Sequence, residues 1–89
     1  MLDKLFLQNK LVQMRCAYIP QSVEMGMCHN AKISMIEWAY NNGDIKSEAQ
    51  VENKISILEE ELLGAELSNV HDLDKKIIEN KIIQLKELL

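Results

Sequence analysis

Residues 47–89, SEAQVENKISILEEELLGAELSNVHDLDKKIIENKIIQLKELL, decide the fold class of this 89-residue chain. Their first half repeats apolar residues at spacings of 4, 3, 4 and 3, the pattern with which helices pack on helices. Ser47 and Gln50 have the spacing of a capping box, which marks the start of a helix. We therefore predict a helix over 47–67 with one apolar seam. The seam consists of Val51, Ile55, Leu58, Leu62 and Ala65.

A second helix is predicted over 70–89, because apolar residues cover about half of its circumference. The seam of the preceding helix fails at Asn69 and Asp72, and Asn69 is a residue type that caps a new helix. We predict a turn within 66–74 and an antiparallel hairpin of the two helices. One continuous helix is the alternative, since no glycine or proline interrupts 66–74. Asp72 and Lys76 have the spacing of an i,i+4 ion pair.

The first half of the chain predicts two more helices, over 2–18 and 22–41. Pro20 ends the first helix, Ser22 caps the second, and Asn42-Gly43 stops it. The first helix has apolar stripes on two opposite sides, so that covering both needs two layers. One stripe consists of Leu7, Leu11, Met14 and Tyr18, and the other of Leu5, Val12, Cys16 and Ile19.

Together these patterns predict an all-α fold. We expect a single helical domain over 1–89, a small bundle of three to four helices with a C-terminal antiparallel helical hairpin. A chain this short buries only about 60–65% of its unfolded surface, and its apolar faces exceed what such a monomer covers comfortably. We therefore predict either a homo-oligomer, with a dimer as the favoured form, or an obligate complex with another protein.

Charge and cysteine content limit the classes of partner and compartment. The net charge is −4, and residues 44–66 carry two lysines against seven acidic residues, a local net charge of −5. An acidic helix disfavours nucleic acid and favours a partner protein with a basic surface. The chain begins without an apolar signal segment and has no stretch of membrane-spanning length, so we expect a cytoplasmic protein with free thiols.

The residue pattern predicts no catalytic, metal or cofactor site. The soft metal ligands lack the short paired spacing of structural zinc sites; they are Cys16, Cys28, His29 and His71. Neighbours on a helix point about 100° apart, so Cys28 and His29 do not form a nucleophile and its base. We therefore predict that the protein is not an enzyme and needs no cofactor.

Two surfaces are candidates for binding a partner. His29 and Lys32 lie within the apolar arc of the helix over 22–41, where a lysine is rarely buried without a partner. Either Lys32 extends to the rim of the core beside a hydrogen-bonded core histidine, or this arc faces a partner. Glutamates 59–61 are either a solvated face or a dock for a basic surface. The predicted partner-binding residues are Met25, His29, Lys32, Ile36, Glu59, Glu60 and Glu61.

These observations favour a non-enzymatic protein–protein interaction module, such as an adaptor, an inhibitor or an antitoxin-like protein. The abundance of Ile, Asn and Lys suggests AT-rich coding, which fits a phage or mobile-element origin. One alternative is a small nucleic-acid-binding regulator that uses Lys4, Lys10, Arg15 and Lys32. Another is a helical secretion or assembly chaperone. Bacteriocin-immunity proteins and secretion chaperones are similar in size and helical class, but no motif of theirs matches residue by residue.

Overall fold

The computed structural model describes residues 2–16, 21–41 and 43–89. These residues form four helices and one two-stranded hairpin, so the predicted all-α class and small helical bundle are confirmed. The end predicted for the first helix, at residue 18, lies outside the described residues. The elements are α1 (Lys4–Cys16), α2 (Val23–Ala39), β1 (Tyr40–Asn41), β2 (Asp44–Ile45), α3 (Glu48–Leu67) and α4 (Asp72–Leu88).

Each of the four helices in the described ranges begins at a side-chain cap, which satisfies backbone N–H groups that the first helical turn leaves unpaired. The Oγ of Ser22 accepts from the N–H of Met25 at 3.1 Å. Ser47 and Gln50 form the predicted capping box, with Ser47 Oγ accepting at 3.2 Å and Gln50 Oε1 accepting at 2.8 Å. Both predicted caps are confirmed. The cap of α1, Asp3, was not predicted. Its Oδ1 accepts from the backbone N–H of Phe6 at 2.8 Å.

The predicted turn between α3 and α4 is present, but its residues play other roles than expected. Asn69 has a left-handed backbone, with φ 59°, and the N–H of Val70 donates to the carbonyl of Ala65 at 3.1 Å. This geometry closes the end of α3. Asn69 therefore terminates α3, and the prediction that it caps α4 is wrong. His71 caps α4, since its Nδ1 accepts from the N–H of Leu73 at 3.2 Å.

The short hairpin after α2 was not predicted. Strands β1 and β2 are antiparallel, with Tyr40 opposite Ile45 and Asn41 opposite Asp44. Gly43 has φ 87°, a conformation that glycine adopts without steric cost. The hairpin ends α2 two residues before the predicted boundary at 41. Asn-Gly is typical of a two-residue hairpin loop as well as of a helix end. The sequence was interpreted only as a helix end.

The core lies where α4 packs against α2 on one side and α3 on the other, while α1 packs mainly on α2. Val51, Ile55 and Leu58 of the α3 seam are buried in this core, as their spacing predicted. The protein measures 39 × 32 × 19 Å. The buried cluster consists of Leu7, Met35, Ile36, Ala39, Val51, Ile55, Leu58, Ile82, Leu85 and Leu88.

The two apolar stripes of α1 have different environments. Leu7 is fully buried, and Leu11 and Met14 pack against the core. Leu5 and Val12 on the opposite side are exposed. The described part of α1 therefore leaves the second stripe uncovered. None of the helices in the described ranges has the length and apolar character needed to cross a membrane.

One prediction concerns a polar side chain in the core. Gln84 is 1% exposed, and its Nε2 has no acceptor among the described residues. Because an unsatisfied buried donor costs about 1–3 kcal/mol, we expect Gln84→Met to raise the free energy of unfolding by about 1 kcal/mol. Urea denaturation followed by circular dichroism measures this change. The exposed Gln13→Met control should change it by less than about 0.5 kcal/mol. A destabilised Gln84→Met protein would contradict the expectation.

A second prediction concerns the capping box of α3. Ser47→Ala removes the acceptor for the N–H of Gln50, so we expect a loss of about 1 kcal/mol in the free energy of unfolding. Ser47→Gly should lower the free energy of unfolding by only roughly a few tenths of a kcal/mol, because glycine is tolerated at this position. Ser56→Ala, an exposed serine within α3, is the matched control. Equal stability of Ser47→Ala and Ser56→Ala would show that the box contributes nothing.

Candidate partner-binding cleft

An open cleft of about 690 Å³ lies between α1, α2 and α4. Met25, His29 and Lys32 enter it together because their i, i+4 and i+7 spacing puts them on one side of α2. Met14 of α1 and Lys76 of α4 line the other walls. The volume falls in the range of small-ligand sites, about 300–1,000 Å³. The cleft is therefore large enough for one or two side chains of a partner.

His29 joins α2 to α1. Its Nε2 lies 2.6 Å from the carbonyl oxygen of Met14. A carbonyl only accepts, so Nε2 carries a proton and donates it to this hydrogen bond. Met14 lies in the last turn of α1, where backbone carbonyls lack an intrahelical partner. His29 is thus a structural hydrogen-bond donor that also lines the cleft.

Lys32 brings a positive charge into the same cleft. Its side chain is half-buried, and within the described ranges no carboxylate lies within ion-pair distance of its ammonium group. Met25 and Cys28 provide apolar and polarisable surface beside it. The cleft therefore offers apolar walls together with a cation that the described residues leave unneutralised.

Glu24 and Lys76 form an ion pair at the edge of the cleft. The Nζ of Lys76 donates to Oε1 of Glu24 at 2.8 Å. The hydrogen bond and charge of Glu24 raise the pKa of Lys76 above its ordinary value of 10.5, and the charge of Asp72 adds to the effect. The predicted Asp72–Lys76 pair is replaced by this contact, and Asp72 lies 3.8 Å from Lys75 instead.

One predicted partner-binding residue lies elsewhere. Ile36 is fully buried in the core cluster, so its side chain is not on the surface and its inclusion in a binding surface is wrong. Its helical spacing from His29 and Lys32 suggested a shared face. The apolar arc of α2 is wide, however, and Ile36 lies on the part of it that faces α4 and the core.

The three consecutive glutamates of α3 do not converge on one site. Glu59 lies 3.9 Å from Lys86 of α4 and lines a shallow groove between these helices. Glu60 and Glu61 are exposed and point in different directions around α3. Glu59 is therefore partly neutralised, while Glu60 and Glu61 remain available to a partner.

Some residues of the cleft were not predicted. Cys28 of α2 is half-buried and lines the cleft beside His29. Lys76 and Asn80 enter from α4, about 50 residues away in the chain. Periodicity orders the side chains of one helix, but it carries no signal for which helices meet. Cys28 alone was open to prediction, from its i+3 spacing to Met25.

The remaining candidates for chemistry stay apart. Among the residues that the structure describes, no three His, Cys, Asp or Glu side chains are placed to hold a metal ion. Both cysteines are free thiols. Lys10 lies 3.7 Å from Glu87, and Arg15 lies 3.1 Å from Glu37, so two of the four cations considered for nucleic acid face carboxylates.

Comparisons of this chain with protein-family models, with curated proteins and with solved structures gave no match. The case for a function rests on the geometry of the cleft and on the charges around it.

The ion pair gives a testable pKa. Glu24→Gln removes the carboxylate, so we expect the pKa of Lys76 to fall toward its ordinary value, as measured by NMR titration of its side chain. Glu48→Gln, at the start of α3, should leave that pKa unchanged. Because folding raises the pKa, the pair stabilises the protein fully below pH 10.5 and less as pH rises through the folded pKa. An unchanged pKa in Glu24→Gln would contradict the assignment.

Proposed function

We propose that this protein is a non-enzymatic protein-interaction module that binds a segment of a partner protein in the cleft. The observation that carries the proposal is the position of Lys32. Its side chain is half-buried between apolar walls, and no carboxylate among the described residues forms an ion pair with it. A bound segment would remove Lys32 from water, and a buried cation is costly unless an anion pairs with it. A partner carboxylate would complete this site.

The chemistry of the cleft defines its occupant. Met14, Met25 and Cys28 offer adaptable apolar contacts, which fit an aliphatic side chain of unspecified shape. Lys32 and Lys76 face the single carboxylate of Glu24, so the cations exceed the anions there. The expected occupant is an aliphatic residue next to an aspartate or glutamate.

His29 has a structural role in the cleft wall. Its Nε2 donates to the carbonyl of Met14, so this nitrogen does not offer a lone pair to a ligand. The side chains of Cys28 and His29 point in different directions from α2. Within the described cleft, no contact orients them as a nucleophile and its base.

Several finer expectations belong to this proposal. The contact between Glu59 of α3 and Lys86 of α4 supports an antiparallel arrangement of the two helices. Free cysteines support a cytoplasmic protein. An adaptor, an inhibitor or an antitoxin-like protein would each use the cleft in the same way, by covering a partner's surface. The carboxylates facing Lys10 and Arg15 make a nucleic-acid regulator the weaker alternative, and nothing in the cleft favours a secretion chaperone specifically.

Two defined peptides of equal apolar content test the proposal. We expect an acetylated Asp-Leu-Leu-Glu peptide amide to shift the NMR signals of the Met25 methyl group and of His29, and a Lys-Leu-Leu-Lys peptide amide to shift them less. Lys32→Glu should weaken binding of the acidic peptide about fivefold or more, because an attraction of about 1 kcal/mol becomes a repulsion.

The matched control is Lys81→Glu, a half-buried lysine on α4 that does not line the cleft. It should keep the affinity for the acidic peptide, and a melting curve checks the fold of both variants. Equal affinity of the two peptides, or of Lys32→Glu and wild type, would refute the cleft as the binding surface.

A further inference from the structure

We infer that copies of this protein associate head to tail, with the outer face of α1 of one copy against the outer face of α3 of the next. The outer face of α1 is defined by Leu5 and Val12, and that of α3 by Leu63 and Leu67. This surface lies apart from the cleft, and the inference goes beyond the proposed function.

Both faces expose large apolar side chains. Leu5 is 68% and Val12 is 59% exposed, on the side of α1 opposite the buried Leu7. Leu63 is 57% and Leu67 is 80% exposed, on the side of α3 away from its buried seam. Leu63 and Leu67 are one helical turn apart and Leu5 and Val12 two turns apart, so each pair lies on one side of its helix.

The charges of the two helices are complementary, which argues for a second copy as the occupant. Helix α1 carries three cations and no acidic residue, whereas α3 carries six glutamates and a single lysine. Lys10 and Arg15 already face Glu87 and Glu37, so Lys4, next to Leu5, is the cation of α1 that no described carboxylate pairs with. Contact between two copies of α3 would oppose glutamates, and contact between two copies of α1 would oppose cations. Contact of α1 with α3 brings opposite charges around apolar centres.

The packing order places the two faces on different flanks. Helix α1 packs mainly on α2, α2 on α4, and α4 on α3, so α1 and α3 are the outer helices of the protein. A contact between unlike faces on different flanks is heterologous, and it continues from copy to copy unless the rotation closes a ring.

Gly64 fits a close approach of another helix at the outer face of α3. It is exposed, lies one turn from Glu60 and near Leu67, and a Cβ built on it meets no atom within 4 Å. Glycine within a helix is less stable than alanine, and nothing in the described protomer requires it there. We expect Gly64→Ala to raise the melting temperature and yet to weaken association about tenfold, because the added methyl group separates the helices.

Sedimentation velocity on two complementary variants tests the pairing. The α1 variant combines Lys4→Glu with Leu5→Gln, and the α3 variant combines Glu60→Lys with Leu67→Gln. Wild type should self-associate at about 100 μM, a concentration at which a micromolar contact is populated. Each variant alone should be monomeric. An equimolar mixture should form a one-to-one heterodimer, because one intact α1 face then meets one intact α3 face. Val23→Gln, an exposed apolar residue at the start of α2, is the control and should associate like wild type.

Three results would overturn the inference. Monomeric wild type shows that the faces do not associate. If only one variant loses self-association, like faces pair with each other. If both variants are monomeric and do not associate when mixed, α1 and α3 do not meet. Since the substituted side chains are exposed, unchanged melting curves will confirm that each variant is folded. Peptide binding in the cleft is measured separately, so failure here leaves the proposed function untouched.

Discussion

The packing of α4 between α2 and α3 is the constraint on which the rest of the structure depends. Ile82, Leu85 and Leu88 are buried there, each contributing about 1.5–3 kcal/mol through removal of apolar surface from water. In the described residues α2 and α3 have no contact of similar extent with each other, so α4 connects them. The same helix brings Lys76 and Asn80 to the cleft. Core and candidate site therefore share one structural support.

Helix α1 is held by fewer contacts than the other helices. Leu7 is buried against the core, and His29 donates to the carbonyl of Met14. Its ion pairs, between Lys10 and Glu87 and between Arg15 and Glu37, involve exposed groups and add little to stability. The width of the cleft depends on the position of α1, because Met14 forms one of its walls. A helix with few contacts thus sets the shape of the candidate site.

Local signals in the sequence were sufficient to predict the helices. They led to wrong assignments where one residue type fits two structural roles. The capping box at Ser47 and the seam of α3 depend on neighbours a few residues away, and both were predicted. Asn69 suits the end of a helix as well as the start of one, and its residue type alone does not distinguish the two roles. Met25, His29 and Lys32 were identified as a candidate surface from their spacing. Ile36 was wrongly added, because the width of an apolar arc does not reveal which part faces the core. The pairing of Glu24 with Lys76 joins residues 52 positions apart, beyond the reach of periodicity.

The cleft and the outer face of α1 lie on two sides of the same short helix, so they are thermodynamically linked if α1 changes position. A contact on the outer face that fixes α1 also fixes Met14, and with it the wall of the cleft. Linkage is reciprocal: a partner segment that fixes this wall would strengthen association of the copies by the same factor.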